Sequence, residues 1–150
     1  MKTPEEIIQS LPKLASKAIT FDSDLAAAYH EAGHCTVMLA HGQVPTRVTL
    51  DPPRMHHENI NKNPYFLIKM YMGGAVATAL YCGIYTFSEG VDRDTVIKHI
   101  AYYRLSYDVV VQAWQETHTL LLDSRDILAL IASKLHRERE IGKEWFELLL

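Results

Sequence analysis

The sequence predicts a mainly α-helical domain with one short strand or a small β-sheet. Three observations carry that reading. Apolar residues recur at three- and four-residue steps over most of the chain. A long apolar run over residues 65–82 has helical length and stops at Gly83, and apolar–polar alternation is confined to residues 44–50.

Thr3-Pro4-Glu5-Glu6 opens the first helix, with Thr3 as N-cap, Pro4 in the first turn and Glu6 closing a capping box. Ile7, Ile8, Leu11 and Leu14 form its apolar face, and Pro12 keeps it short or kinked. A stronger helix spans about residues 23–41, capped by Asp22 or Ser23 and ended by Gly42. Leu25, Ala28, Tyr29, Ala32, Thr36 and Leu39 mark its buried side. Residues 44–50 follow as a strand, read as an edge strand because of Pro45, and Asp51-Pro52-Pro53 ends it. Residues 54–64 read as a polar surface loop. After the helix at 65–82 come a turn at 85–91 and a helix capped by Asp92 that reaches about Arg104. Residues 106–140 have helical spacing with a break at Asp123-Ser124, and a last helical turn or two covers 143–150.

A chain of 150 residues suits one domain, and its 48% hydrophobic and 22% charged composition is that of a globular protein. A net charge of −3 gives no basic face for nucleic acid. Cys35 and Cys82 are too few for a disulfide framework and read as buried thiols. The first residues lack the basic-then-apolar pattern of a signal peptide, which points to the cytoplasm. Residues 65–87 are apolar apart from Lys69 and long enough to span a bilayer. Gly73, Gly74, Thr78, Gly83 and several tyrosines dilute the run, so a buried core helix is expected, without a membrane partner.

Eight histidines are many for this length, and two of them form His30-Glu31-Ala32-Gly33-His34, an HExxH motif within the strongest helix. Four residues advance a helix by slightly more than one turn, so both imidazoles leave the same side and can reach one zinc ion. Glu31 lies beside them as the group that takes a proton from water, while Ala32 and Gly33 leave room for a neighbouring element. Catalytic zinc takes a third protein ligand. The extended motif with a third histidine is absent, because position 40 is Ala40 and His41 comes one residue late. On chemistry alone the candidates are His56, His57, Glu58, Glu89, Asp92, Asp94 and His99. His118 and His136 read as surface or cap residues, and Tyr102, Tyr103 and Tyr107 as core residues with their hydroxyls at the rim, one of them a candidate oxyanion donor.

Ala28-Tyr29-His30-Glu31-Ala32-Gly33-His34 resembles the active-site helix of the FtsH-type ATP-dependent metalloproteases. Residues 44–53 resemble the strand and Pro-containing turn that follow it there. Gly73-Gly74-Ala75-Val76-Ala77 is similar to that family's Gly-Gly-Arg-x-Ala-Glu helix start. Gly90-Val91-Asp92-Arg93-Asp94 is similar to its Gly-Ala-x-Asn-Asp segment, and Leu135-His136-Arg137-Glu138 to its Leu-x-x-Glu. The likeness runs from about Ala26 to the C-terminus and leaves residues 1–22 outside, as an N-terminal helix and linker. It implies a zincin-like peptidase domain with zinc on His30, His34 and Asp94, Glu31 as catalytic base, and Asp92 as a plain helix cap.

Ala75 and Thr78 replace the family's arginine and glutamate, the 54–64 loop is shorter than its counterpart, and neither a phosphate-binding loop nor a membrane anchor is present. The expected function is therefore zinc-dependent hydrolysis of unfolded or short peptides by a stand-alone domain, paired along the free edge of the 44–50 strand. A homo-oligomer or a separate ATPase is the further partner that the resemblance suggests. The rival reading is a catalytically idle, metal-binding adaptor of the same shape.

Overall fold

The computed structural model describes residues 1–14, 22–83, 87 and 90–150. Seven helices and three short strands occur among them: α1 (Pro4–Gln9), α2 (Ser23–Ala40), β1 (Arg47–Leu50), β2 (Pro53–His56), α3 (Pro64–Tyr81), α4 (Val91–Tyr103), α5 (Tyr107–Asp123), α6 (Arg125–Glu138), β3 (Glu140–Gly142) and α7 (Lys143–Glu147). The expected mainly helical architecture with a small sheet is the one observed. The turn expected at 85–91, most of the N-terminal linker and the candidate ligand Glu89 lie largely outside the described residues.

Helix starts follow their capping chemistry. The Thr3 hydroxyl accepts from the Glu6 amide at 3.1 Å and the Glu6 carboxylate accepts from the Thr3 amide at 3.4 Å, completing the capping box. The Asp22 carboxylate accepts from the amides of Asp24 (2.9 Å) and Leu25 (3.3 Å) at the head of α2. Gly42, at φ +72°, turns the chain away after α2 ends.

α3 is the core helix. It is apolar on every side, as a helix surrounded by protein should be, and it packs against α2, α4 and α5. No helix of the described residues is long and apolar enough to cross a membrane. Its one charge, Lys69, is buried. The ammonium donates to His41 Nε2 at 3.0 Å and lies over the Tyr65 ring, 4.8 Å from its centroid. α2 crosses α3 at a glycine pair. A Cβ on Gly33 would stand 2.2 Å from the Gly73 carbonyl oxygen, so the two backbones touch only because neither residue has a side chain.

The sheet corrects three expectations. Its order is β2-β1-β3, all antiparallel, so β1 is the central strand and has no free edge. Pro45 is no obstacle because the ladder begins only at Arg47, two residues past the imide that lacks a donor. Part of the expected 54–64 loop is the edge strand β2. Glu140, expected as the end of a helix, instead opens β3 (Glu140–Gly142), which pairs with β1 across most of the chain's length.

Arg139 fixes these pieces together. It sits in the left-handed region at φ +70°, and its carbonyl accepts from the Leu50 amide at 3.0 Å. Its guanidinium donates to Asp24 at 2.6 and 2.9 Å and to Asp51 at 2.8 Å through each oxygen. Both carboxyls are held below the usual carboxylate range by these hydrogen bonds. Their pKa values are lower folded than unfolded, so their contribution is present above the unfolded value of about 4 and lost as pH falls through the depressed folded values. Arg139→Gln is therefore expected to lower thermal stability at pH 7, by a margin that shrinks progressively as pH falls below ~4. Melting curves across pH 3–8 check this, and a constant difference down to the acid limit would contradict it.

Candidate metal centre

Three side chains from two helices meet at one point. His30 and His34, one turn apart on α2, bring their Nε2 atoms to 3.1 Å from each other. Asp92 Oδ2, from the first turn of α4, is 2.8 Å from His30 Nε2 and 3.0 Å from His34 Nε2. Among the described residues, these three form the group whose ligand atoms could hold one metal ion.

His34 Nδ1 donates to the Met70 carbonyl of α3 at 2.7 Å. A carbonyl can only accept, so the proton of the neutral ring sits on Nδ1 and Nε2 presents a lone pair. Two imidazole nitrogens and a carboxylate oxygen within about 3 Å need a positive charge between them. Burial opposes charging His34, yet the hydrogen bond and charge of Asp92 outweigh it and carry the pKa up to about 9. Burial would likewise raise Asp92, but its bonds to the two imidazoles hold its carboxyl well below the ordinary range.

The donor set fits a tetrahedral ion. Donors about 2.0–2.1 Å from a tetrahedral centre stand roughly 3.3 Å apart, a few tenths of an ångström wider than the distances seen here. Gly74 of α3 makes the space. A Cβ there would lie 2.6 Å from His30 Cε1 and Nε2 and 2.7 Å from His34 Nε2, and would close the approach to both nitrogens.

Asp94 is not in the cluster. Its side chain is 66% exposed and lies 3.6 Å from the Arg93 guanidinium. Two residues on a helix point about 200° apart, so only one of Asp92 and Asp94 can face α2. The expected register matched residues by their spacing from Gly90. Gly90 itself is the N-cap, at φ +106° and without a side-chain cap, so α4 begins immediately and turns Asp92 inward. Asp92 therefore does not cap the helix.

Glu31 is 7% exposed beside the cluster, and burial pushes its carboxyl above the usual range against the pull of His34 and His30. It opens with His34 and Asp92 onto a cleft of about 520 Å³. Pro53, Arg54, Met55 and His57 form the cleft's β2 side, Met70 and Tyr71 its α3 side, and Val91 and Thr95 its α4 side. Burial, with the Asp92 charge adding to it, raises the Tyr71 phenol above its ordinary value.

His57 lines this cleft without joining the three donors, and Glu58 is exposed. His99 faces back onto its own helix, Nδ1 donating to the Thr95 carbonyl at 2.8 Å. His136 lies 3.3 Å from Asp24, at the far end of α2 from His34. Tyr102, Tyr103 and Tyr107, expected in the core, are exposed and lie outside the cleft. The residues missing from the sequence reading are Met70, whose carbonyl leaves no trace in its side chain, and Gly74 and Tyr71. The Gly73-Gly74 pair inside an apolar helix was the available signal for close approach.

No protein-family model and no curated protein sequence matches this chain.

Proposed function

We infer that the chain is a zinc-dependent peptidase with a zincin-like arrangement, acting on short or unfolded peptides. The observation that carries this reading is the buried carboxyl of Glu31 beside the convergent His30, His34 and Asp92. A site serving only to bind metal has no use for a second carboxyl, outside the three ligands, that opens with them onto a cleft. Bound zinc would supply a water of lowered pKa and polarise the scissile carbonyl.

The protein's own residues do the rest. Met70 fixes the His34 ring in the tautomer whose Nε2 can bind. Glu31 takes the proton from the attacking water and passes it to the leaving nitrogen as the C–N bond breaks. A carboxyl with a raised pKa suits both duties. β2, paired on one side by β1 and bordering the cleft with Pro53, Arg54 and Met55, offers the edge along which an extended peptide can lie.

The test is degradation of an unstructured protein and of a stably folded one by purified, zinc-loaded protein, with and without chelator and ATP. Cleavage of the unstructured substrate alone, independent of ATP, lost on chelation and restored by zinc, is the expected result. Stoichiometric zinc without cleavage would move the assignment to a metal-binding adaptor.

A further inference from the structure

Peptide hydrolysis as read above requires a donor for the carbonyl oxygen, which gains negative charge as water adds. Such donors, fixed in advance and aimed at the developing charge, are among the largest contributors to rate. Three residues of the cleft carry polar hydrogens that no hydrogen bond to a described residue engages: Arg54, His57 and Tyr71. The Thr95 hydroxyl is already committed to the Val91 carbonyl at 2.8 Å.

Arg54 is exposed on the edge strand, and His57 follows on the segment beyond it. Tyr71 differs in being built into the helix that shapes the metal centre. It is the next residue after Met70, whose carbonyl fixes His34, and it precedes by one turn Gly74, which faces both Nε2 atoms. Its ring packs on His99 of α4, with centroids 5.7 Å apart. His99 is two turns from Asp92 on the same face of α4, and Tyr71 lines the same cleft as Glu31, His34 and Asp92.

Resting on the peptidase reading, the geometry points to Tyr71 as a further catalytic residue, its hydroxyl donating a hydrogen bond to the scissile carbonyl oxygen as that oxygen becomes negative. In this step the water oxygen bonds to the carbonyl carbon, and the carbonyl π pair moves onto its oxygen. The water's proton goes to Glu31, and Tyr71 keeps its own.

The test compares Tyr71→Phe and His57→Gln with wild type, all zinc-loaded. It measures cleavage of a fluorogenic peptide and, independently, affinity for a phosphinic pseudopeptide that mimics the tetrahedral state. Phenylalanine keeps the ring on His99, so zinc content and melting temperature should not move. Loss of one such donor should lower kcat about 100-fold and weaken pseudopeptide binding by a similar factor, with KM within about twofold. Equal pseudopeptide affinity in wild type and Tyr71→Phe overturns the assignment even if the wild type cleaves peptides. The same loss in His57→Gln but not in Tyr71→Phe also overturns it. A wild type that binds pseudopeptide more tightly than Tyr71→Phe yet cleaves nothing retains the Tyr71 contact and removes the peptidase reading. A wild type that neither cleaves nor binds overturns both.

Discussion

Glu31→Gln should leave the fold and the bound zinc intact and reduce peptide hydrolysis by about 10²–10⁴-fold, the range that a positioned general base supplies. The amide is nearly the same size as the carboxylate, so it can occupy the same buried position, but it cannot accept the proton. It also removes a buried negative charge from beside the three ligand atoms. Zinc affinity should therefore weaken slightly at most, because none of the three ligand atoms is lost. Metal content and cleavage rate measured on the same preparation decide the matter. Equal rates in wild type and variant would refute the catalytic role and favour the adaptor.

Asp92→Ala should strip the metal, whereas Asp94→Ala should keep it. Disturbing an outer-shell partner of a metal typically costs about 10–100-fold in affinity, and deleting one of three protein ligands should cost more. The control matters because both aspartates lie in the first turn of α4, where either one contributes about 0.3–1 kcal/mol through the helix dipole. That shared effect cancels between the variants, and the difference in zinc content reports ligation alone. Metal analysis after dialysis against a weak chelator provides the reading. Loss of zinc in Asp94→Ala with retention in Asp92→Ala would restore the register expected from the family resemblance.

The expectation that Asp92 caps α4 failed, and the geometry that brings Asp92 rather than Asp94 to the two histidines has the same cause. Gly90 adopts a φ that L-residues rarely take, and this starts the helix two residues earlier than the expected register required. Nothing in the order of residues 90–94 distinguishes an aspartate that faces α2 from one that faces solvent. α2, by contrast, was legible in its limits and its metal-facing pair, although Leu25, Tyr29 and Leu39, expected on its buried side, are only partly buried. Its cap, its period and the HExxH spacing are all local, and local patterns survive folding unchanged. The sheet was illegible for the opposite reason. Strands of three and four residues have little pattern of their own, and β3 exists only because Glu140–Gly142 reaches β1 from the far end of the chain. The tyrosines of α4 and α5 read as core residues because they are aromatic, yet Tyr102, Tyr103 and Tyr107 are exposed.

The donors of the candidate metal centre are also far apart in the chain. His34 and Asp92 are separated by 58 positions, and the stretch between them holds β1, β2 and the whole of α3. Any ion held by both therefore closes a loop around the domain's central helix, as a disulfide would. Cys35 and Cys82 are free thiols and make no such closure. For a covalent link, closing a loop of this length removes unfolded-state entropy worth on the order of 4 kcal/mol. A coordination bond can share in that stabilisation only while it is intact. If the proposed zinc binds there, its occupancy and the integrity of the core become one equilibrium, and the supply of metal sets how firmly α3 is enclosed.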